Sequence, residues 1–317
     1  MGDDRLVLVT ARSFGTGRTD PQGLLERAGL RVVRGDPTHR LAALAPYLSE
    51  AVAWIAGTAS IGEELLGAAP RLRLVARYGV GVDAVDLDAA QRHGVIVTNT
   101  PGANAEAVAD MAIGLILAAL RHLAAGDRAV RTGDWSARVG RELEACTVGI
   151  VGYGTIGRAV RRRLTVFGSP VVAHDPYLTD ADVPLVGLTE LAQAADVITL
   201  HAPPTPSPLV DRAFLAAVKQ GAVLVNTARA ALLDERAVAE ALRSGRLGAL
   251  ATDVAGSEEG VASPLLEAPN VTLTPHVAGQ TMEAVDRMGV GAAEECVRVL
   301  VEGSPPLHPV LPAEAAP

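Results

Sequence analysis

Three glycines near the middle of the chain have the spacing needed to hold a dinucleotide. Val148–Val151 predicts a strand that leads into the glycines, and the residues after Gly157 predict a helix. In such a turn Gly152 permits the sharp bend, Gly154 lets the backbone approach a pyrophosphate, and Gly157 lets the helix pack on the strand. The N-terminus of the helix then faces the anion, so the pattern predicts a dinucleotide site.

An acidic residue completes this pattern. Asp175 comes 18 residues after Gly157 and follows the next apolar segment, close to the ~20 residues expected for the carboxylate that binds the ribose hydroxyls. A carboxylate at this position repels a 2′-phosphate, which favours NAD over NADP. Glycine turns are common, so the strand, the helix and Asp175 together make the prediction specific.

Further polar residues follow predicted strands of the same sheet, and ligands bind outside the carboxyl ends of parallel strands. Arg229 can bind a carboxylate through its two-pronged guanidinium and polarise a neighbouring carbonyl. His276 can act as a general acid toward that carbonyl, and as a base in reverse. Glu258, near the strand-end residue Asp253, can hydrogen-bond the other ring nitrogen of the histidine.

Each of these residues also has a purely structural interpretation. An arginine after a strand is often a surface ion-pair partner, and a Thr-Pro-His turn can simply hold a loop. Glu258 and Glu259 lie in an acidic loop, where solvated carboxylates are the usual case. No His, Cys or Asp cluster has the spacing of metal ligands, so we expect no metal.

Composition narrows the class of protein. The chain has 317 residues, 49% of them hydrophobic and 20% charged, with a formal net charge of −8. The length predicts two domains, and the acidic balance argues against nucleic-acid or anionic-membrane partners. Cys146 and Cys296 stand alone, which fits a reducing compartment. The sequence has no signal-peptide pattern and no apolar run of ~18 residues, so we expect a cytoplasmic protein without a membrane partner.

Alternating strand and helix patterns predict an α/β fold with two Rossmann-like or flavodoxin-like parallel-sheet domains. The late position of the glycine turn predicts that the NAD-binding domain, residues 100–281, is inserted in a substrate domain formed by residues 1–99 and 282–317. Residues 104–123 predict one long helix that is apolar nearly all round, which suggests burial between domains or subunits. The Pro/Ala-rich tail from Ser304 is expected to fray.

Motifs along nearly the whole chain make it similar to the D-isomer-specific 2-hydroxyacid dehydrogenase family, in its phosphoglycerate-dehydrogenase-like branch. The resemblance is carried by residues 77–83, 99–104, 108–110, 140–143, 226–229 and 274–279, besides the glycine turn. It implies an Arg–Glu–His triad, which matches Arg229, Glu258 and His276. The family acid lies five residues after the strand-end Asp, here Asp253, and this spacing selects Glu258 over Glu259.

The resemblance also implies which residues bind ligands. The substrate would be bound at Arg77, at the backbone amides of Gly79, Val80 and Gly81, and at Asn104 on the cleft floor. NAD would be lined by the three glycines of the turn and by Thr155, Ile156, Asp175, Ala202, Pro203, Thr227, Ala228, Asp253 and Gly279. The family implies a homodimer built around the long helix that begins near Asn104, and domain closure about hinges near Thr100 and residues 279–281.

The expected function is therefore NAD-dependent hydride transfer between nicotinamide and C2 of a small D-2-hydroxy acid or 2-keto acid. Phosphoglycerate enzymes commonly carry an Arg near the position of Ala56, so 3-phosphoglycerate as substrate would depend on Arg12. The chain departs from the family pattern at two places near the triad. Ala230 stands where glycine is usual, and residues 258–260 differ from the usual loop. The alternatives are a corepressor-like, NAD-sensing binding protein and a phosphite-type dehydrogenase, since both keep the triad.

Overall fold

The computed structural model describes residues 5–256 and 262–312. The chain forms two compact units, Met1–Asn104 with Gln280–Pro317, and Ala105–Gly279. These boundaries lie a few residues from the positions 99/100 and 281/282 that the sequence suggested. The predicted fold class, two parallel-sheet α/β domains with one inserted in the other, is confirmed.

The strands of the first unit are β1 (Leu6–Val9), β2 (Arg31–Arg34), β3 (Ala51–Ala56), β4 (Leu74–Arg77), β5 (Ile96–Thr98) and β12 (Pro309–Val310). They form a six-stranded sheet of order β12-β5-β4-β3-β1-β2. The unit's helices are α1 (Pro21–Arg27), α2 (Leu41–Leu48), α3 (Glu63–Gly67), α4 (Leu87–Arg92) and α11 (Met282–Leu300). Every residue of β1, β3 and β4 is buried, because helices cover both faces of a parallel sheet.

The predicted fraying of the tail was wrong for part of its length. Pro309 and Val310 pair with Thr98 and Val97, and β12 is antiparallel to β5. The buried carboxylate of Glu295 in α11 accepts hydrogen bonds from the backbone N–H groups of Leu307 and His308, at 3.0 and 2.9 Å from Oε1. These bonds hold the segment that leads into β12.

The strands of the second unit are β6 (Val148–Val151), β7 (Val171–His174), β8 (Val197–Leu200), β9 (Ala222–Asn226), β10 (Leu247–Thr252) and β11 (Val271–Leu273). They form a fully parallel sheet of order β11-β10-β9-β8-β6-β7. The unit's helices are α5 (Ala105–Leu120), α6 (Leu123–Arg131), α7 (Thr155–Phe167), α8 (Leu188–Ala194), α9 (Arg212–Ala217) and α10 (Glu235–Arg243). In each unit the second strand lies on one side of the first strand and the third strand lies on the other side. The strand order therefore reverses between the first and third strands, and this point is the topological switch point of the sheet.

The long helix predicted for residues 104–123 is α5, and a second helix that follows it, α6, was not predicted. α5 ends at Leu120, and α6 leaves it at 59° after His122, whose φ of 54° is left-handed. Ten residues of α5 are buried, which explains its apolar character within this unit, whereas α6 buries none. No single described helix is long and apolar enough to cross a membrane; only the bent α5–α6 pair passes by length and composition.

Candidate active site

The glycine turn between β6 and α7 lies at the switch point of the second unit. Gly152 has a left-handed φ of 88°, and a Cβ built on it would lie 2.6 Å from the backbone N of Ala202, in the loop after β8. A Cβ on Gly157 would overlap the carbonyl oxygen of Gly152, so helix and strand pack too closely here for any side chain. Both positions therefore require glycine for steric reasons.

Gly154 differs, because a Cβ there would meet no atom within 4 Å. It is the N-cap of α7, and no side chain caps the helix. Thr155 and Ile156 form the first turn of α7, whose first N–H groups have no partner within the helix and favour an anion. An open backbone beside an uncapped helix N-terminus fits the pyrophosphate of NAD.

Asp175 follows β7, the strand next to β6. Its carboxylate accepts hydrogen bonds from the backbone N–H of Tyr153 at 2.9 Å and of Tyr177 at 3.0 Å. These bonds fix the carboxylate beside the glycine turn, while its oxygens can still accept from a ribose diol. The chain's own residues therefore fit the adenosine side of NAD.

Sequence reasoning missed the role of the Tyr153 side chain. The ring is fully buried, its hydroxyl donates to Asp182 Oδ1 at 2.5 Å, and the guanidinium of Arg158 lies 4.9 Å from the ring centroid. Burial raises the pKa of Tyr153, so its hydroxyl stays a donor. This residue ties the turn to the loop after β7. The glycine pattern leaves its position unspecified, so no sequence signal identified it.

Arg229, Asp253 and His276 follow the adjacent strands β9, β10 and β11. The backbone N–H of Asp253 donates to the carbonyl of Asn226 at 2.9 Å, and that of His276 donates to the carbonyl of Asp253 at 2.9 Å. The structure thus brings together three of the residues that the sequence singled out, at the carboxyl edge of one sheet.

Asn226 shapes the turn that presents Arg229. Its fully buried amide accepts from the N–H of Ala228 at 2.9 Å and donates to the carbonyl of Arg229 at 2.8 Å. The partly buried guanidinium of Arg229 donates to the carbonyl of Ala228 at 2.8 Å. These bonds fix the backbone of the turn, which holds Arg229 just beyond the end of β9.

Asp253 holds the turn that carries His276. Its carboxylate accepts from the hydroxyl of Thr274 at 2.5 Å, from the N–H of Val277 at 2.9 Å and from the N–H of Ala278 at 2.7 Å. His276 sits between them with a left-handed φ of 53°. Asp253 is 1% exposed, and its carboxylate accepts these three hydrogen bonds from the protein itself. Its contact with NAD stays a prediction.

The remaining predicted residues of the second unit lie around these turns. Ala202 and Pro203 follow His201 after β8, Thr227 and Ala228 follow β9, and Gly279 is the last residue of the unit. Glu258 lies outside the described residues. The last described residue before it, Gly256, donates its N–H to Glu235 Oε1 at 2.7 Å. Across the described ranges, no group of three or more His, Cys, Asp or Glu side chains could hold a metal ion.

In the first unit, Gly79, Val80 and Gly81 form the loop after β4. Gly79 has a φ of 137°, Asn99 donates to the carbonyl of Val80 at 2.8 Å, and Arg77 Nε donates to the carbonyl of Gly81 at 3.2 Å. Arg77 is only 5% exposed, so these contacts make it a support of the loop. Asn104 is the last residue of this part of the unit, directly before α5.

His201 opens the loop that lies against Gly152. Its Nε2 is 2.9 Å from Thr199 Oγ1, and burial of the ring lowers its pKa to about 3. The ring is therefore neutral in the folded protein at neutral pH. An unfolded histidine titrates near 6.5, so below that pH the unfolded chain binds a proton at this residue that the folded chain does not bind.

We therefore expect acid to destabilise the protein through His201. Between pH 7 and pH 5 this residue should cost about 2 kcal/mol of stability, because the folded ring resists protonation down to about pH 3. The variant His201→Gln can still bond Thr199. Between pH 7 and pH 5 its free energy of unfolding, measured in urea by circular dichroism, should fall by about 2 kcal/mol less than that of the wild type. Equal losses in the two proteins would contradict the assignment.

Comparisons with known proteins identify the family of the chain. Residues 113–278 match the family model described as D-isomer specific 2-hydroxyacid dehydrogenase, NAD binding domain. The D-3-phosphoglycerate dehydrogenase of Mycobacterium tuberculosis is 41% identical over 288 residues, which are 88% of this chain and 54% of that protein. The chain thus spans about half the length of that relative.

Two further similarities extend over most of both chains. The hydroxypyruvate reductase of Thermotoga maritima is 37% identical over 75% of this chain and 80% of its own. The crystal structure of the TT0316 protein from Thermus thermophilus superimposes with a TM-score of 0.87 at 38% identity, covering 96% of this chain and all of that one. The chain, with its NAD-binding domain, belongs to the D-isomer-specific 2-hydroxyacid dehydrogenase family.

Proposed function

We propose that the protein is an NAD-dependent dehydrogenase that interconverts a small 2-keto acid and the D-2-hydroxy acid. The observation that carries the proposal is the placement of Arg229 and His276 after β9 and β11, the two strands that flank β10 in the sheet that also bears the glycine turn and Asp175. A cation for a carboxylate and an imidazole for a carbonyl oxygen are the two groups that this reaction needs beside the cofactor.

The residues divide the chemistry between them. NADH, when bound, supplies the hydride for C2 of the keto acid. Arg229 binds the substrate carboxylate and polarises the C2 carbonyl. His276 gives its proton to the C2 oxygen, which becomes the hydroxyl, and takes it back in the oxidation direction. The sequence makes Glu258 the candidate partner of the other ring nitrogen of His276.

The named relatives include a phosphoglycerate dehydrogenase and a hydroxypyruvate reductase, so the substrate test covers both kinds of acid. Ala56 is fully buried at the end of β3, and the exposed side chain of Arg12 is the cation available for a phosphate after β1. The decisive assay is NADH oxidation with phosphohydroxypyruvate, hydroxypyruvate and glyoxylate.

The buried free thiols of Cys146 and Cys296 support a cytoplasmic location.

Replacing the proton donor tests the mechanism. His276→Asn should lower kcat/KM for the keto acid by ~10²–10⁴-fold, because general acid catalysis is lost. Asparagine tolerates the left-handed backbone at this position, so the turn should survive. NADH affinity, followed by nucleotide fluorescence, should be unchanged. The same substitution at His93, which is bonded to Glu63 at the start of α3, is the control. Near-normal turnover of His276→Asn would refute the assignment.

The support of His276 can be tested separately. Asp253→Asn should lower kcat by about 10–100-fold, because an amide cannot accept all three hydrogen bonds and the imidazole moves from its working position. Steady-state kinetics with a saturating keto acid measures the effect. Asp211→Asn changes a carboxylate that accepts one backbone N–H at the start of α9, and it should leave kcat within about twofold. Equal effects of the two substitutions would count against a special role for Asp253.

We also propose that the protein is a homodimer. α6 has no buried residue, and the stretch that it begins exposes Leu123, Val130, Trp135 and Val139, with Trp135 80% and Val139 94% exposed. A cluster of large exposed apolar side chains is typical of an interface. We therefore propose that the contact lies on α6 and the segment after it, because α5 uses most of its apolar surface inside its own unit.

Charge placed on this stretch should separate the subunits. Light scattering of the wild type should give twice the chain mass of 32.6 kDa, and Trp135→Glu with Val139→Glu should give the single mass, because a buried carboxylate is costly. Val166→Glu is the matched control, since Val166 is 88% exposed on α7, outside this stretch. A monomeric wild type, or a double variant that stays dimeric, would rule out this interface.

A further inference from the structure

Tyr153, between the first two glycines of the turn, bonds to two points of the loop that follows β7. Its backbone N–H donates to Asp175 Oδ2 at 2.9 Å, and its side-chain hydroxyl donates to Asp182 Oδ1 at 2.5 Å. Asp175 begins this loop and Asp182 lies near its end. The chain then rejoins β7, since the N–H of Ala173 donates to the carbonyl of Pro184 at 2.9 Å. One residue of the glycine turn is therefore bonded to both parts of the loop.

The bond between Tyr153 and Asp182 joins a neutral phenol to a charged carboxylate. Burial raises the pKa of the phenol, and the carboxylate beside it raises the pKa further, so the hydroxyl keeps its proton. The same bond lowers the pKa of Asp182, which therefore stays ionised at neutral pH. Hydrogen bonds with one charged partner are about twice as strong as neutral ones, so this bond can hold the loop against the entropy of its free conformations.

Packing fixes the direction in which the hydroxyl of Tyr153 points. The ring is fully buried, and the guanidinium of Arg158, on α7, lies 4.9 Å from the ring centroid. Arg158 Nη1 also lies 3.9 Å from Asp182 Oδ1. Two side chains of the loop, Leu178 and Ala181, pack against the apolar cluster that contains the ring. The phenol is therefore fixed by its surroundings, and its bond to Asp182 positions the loop relative to the glycine turn.

The first residues of the loop are arranged around Asp175. Its Oδ1 accepts from the N–H of Tyr177 at 3.0 Å, and its backbone carbonyl accepts from the N–H of Leu178 at 3.4 Å. In a dinucleotide fold the pyrophosphate binds at the glycine turn and the ribose hydroxyls bind the carboxylate after the next strand. The adenine attached to that ribose then belongs beside the loop that the carboxylate begins.

We propose that Tyr153 is a positioning residue for NAD: its hydroxyl bond to Asp182 holds the 175–182 loop as a preformed wall of the adenosine subsite. The side chain of Tyr153 is fully buried, so it acts on the cofactor through the loop. All residues involved belong to the second unit, and the inference rests on the proposed function only in taking NAD as the cofactor. A loop that is in place for part of the time lowers the apparent affinity by that fraction.

Removing one oxygen atom from Tyr153 tests the bond. Tyr153→Phe keeps the buried ring, and water can replace the hydroxyl at Asp182, whose side chain is 62% exposed, so the variant should fold. Its Kd for NADH, measured by nucleotide fluorescence, should rise about tenfold. The kcat at saturating NADH and the KM for the keto acid should stay within about twofold. Tyr47→Phe removes a hydroxyl from α2 of the first unit and is the control.

Substitutions at Asp182 separate the bond from the charge. Asp182→Asn keeps an oxygen that can accept from the hydroxyl, so its Kd for NADH should stay within about twofold of the wild type. Asp182→Ala removes the acceptor and should bind NADH as weakly as Tyr153→Phe. The double variant of Tyr153→Phe with Asp182→Ala should bind no more weakly than either single variant, since both substitutions remove the same bond. Additive losses in this cycle would overturn the proposal.

Hydrogen–deuterium exchange of the NADH-free protein gives a readout that is independent of activity. Amides of residues 177–183 should exchange faster in Tyr153→Phe and at the wild-type rate in Asp182→Asn. An unchanged Kd in Tyr153→Phe would overturn the proposal, and so would a raised Kd without faster exchange, since the bond would then act by another route. If the wild type binds NADH but reduces no 2-keto acid, the proposed function fails, while the binding cycle still decides the role of Tyr153.

Discussion

The candidate chemistry depends most on one buried carboxylate, that of Asp253. Its three hydrogen bonds to Thr274, Val277 and Ala278 close the turn after β11 around His276. A non-glycine residue in the left-handed region costs about 1–2 kcal/mol, and charge-assisted bonds to backbone N–H groups are strong enough to offset that cost. The backbone of Asp253 also links the ends of β9 and β11, so the turns that present Arg229 and His276 are set by the same residue.

The two units share one topology and differ at its switch point. Both have the strand order that places a switch point between the first and third strands. In the second unit this point has open backbone and an uncapped helix N-terminus, which suit the phosphates of a dinucleotide. In the first unit the loops there are held by buried polar side chains, with Arg77 bonded to the carbonyl of Gly57 and His39 to the carbonyl of Ser60. The difference lies in the loops, since the strands at both points are buried and almost entirely apolar.

Much of this architecture could be predicted because its signals are local. Apolar runs separated by helix patterns predicted two parallel sheets, and the spacing of three glycines and Asp175 predicted the NAD site. The long helix was predicted to end at Leu123, three residues beyond the end of α5, because no Pro or Gly marks the turn at His122, which takes the left-handed conformation. The strand at Pro309–Val310 was missed because two residues have no detectable period, and the edge of β5 supplies the reason for their pairing.

By itself the sequence determined the fold class, the family motifs and the chemical types at the strand ends, because these depend on residue identity and short spacing. Only the tertiary structure decided which contacts the buried polar side chains make within the protein. Arg77, which the family resemblance linked to the substrate, supports two loops, and Asp253, which it linked to NAD, holds a turn. The buried His39 belongs to no motif, and its ring nitrogens bond to the hydroxyl of Thr10 and the carbonyl of Ser60, both far from it in sequence. A hydrogen bond between distant segments depends on where the fold places both atoms, and no local pattern encodes that.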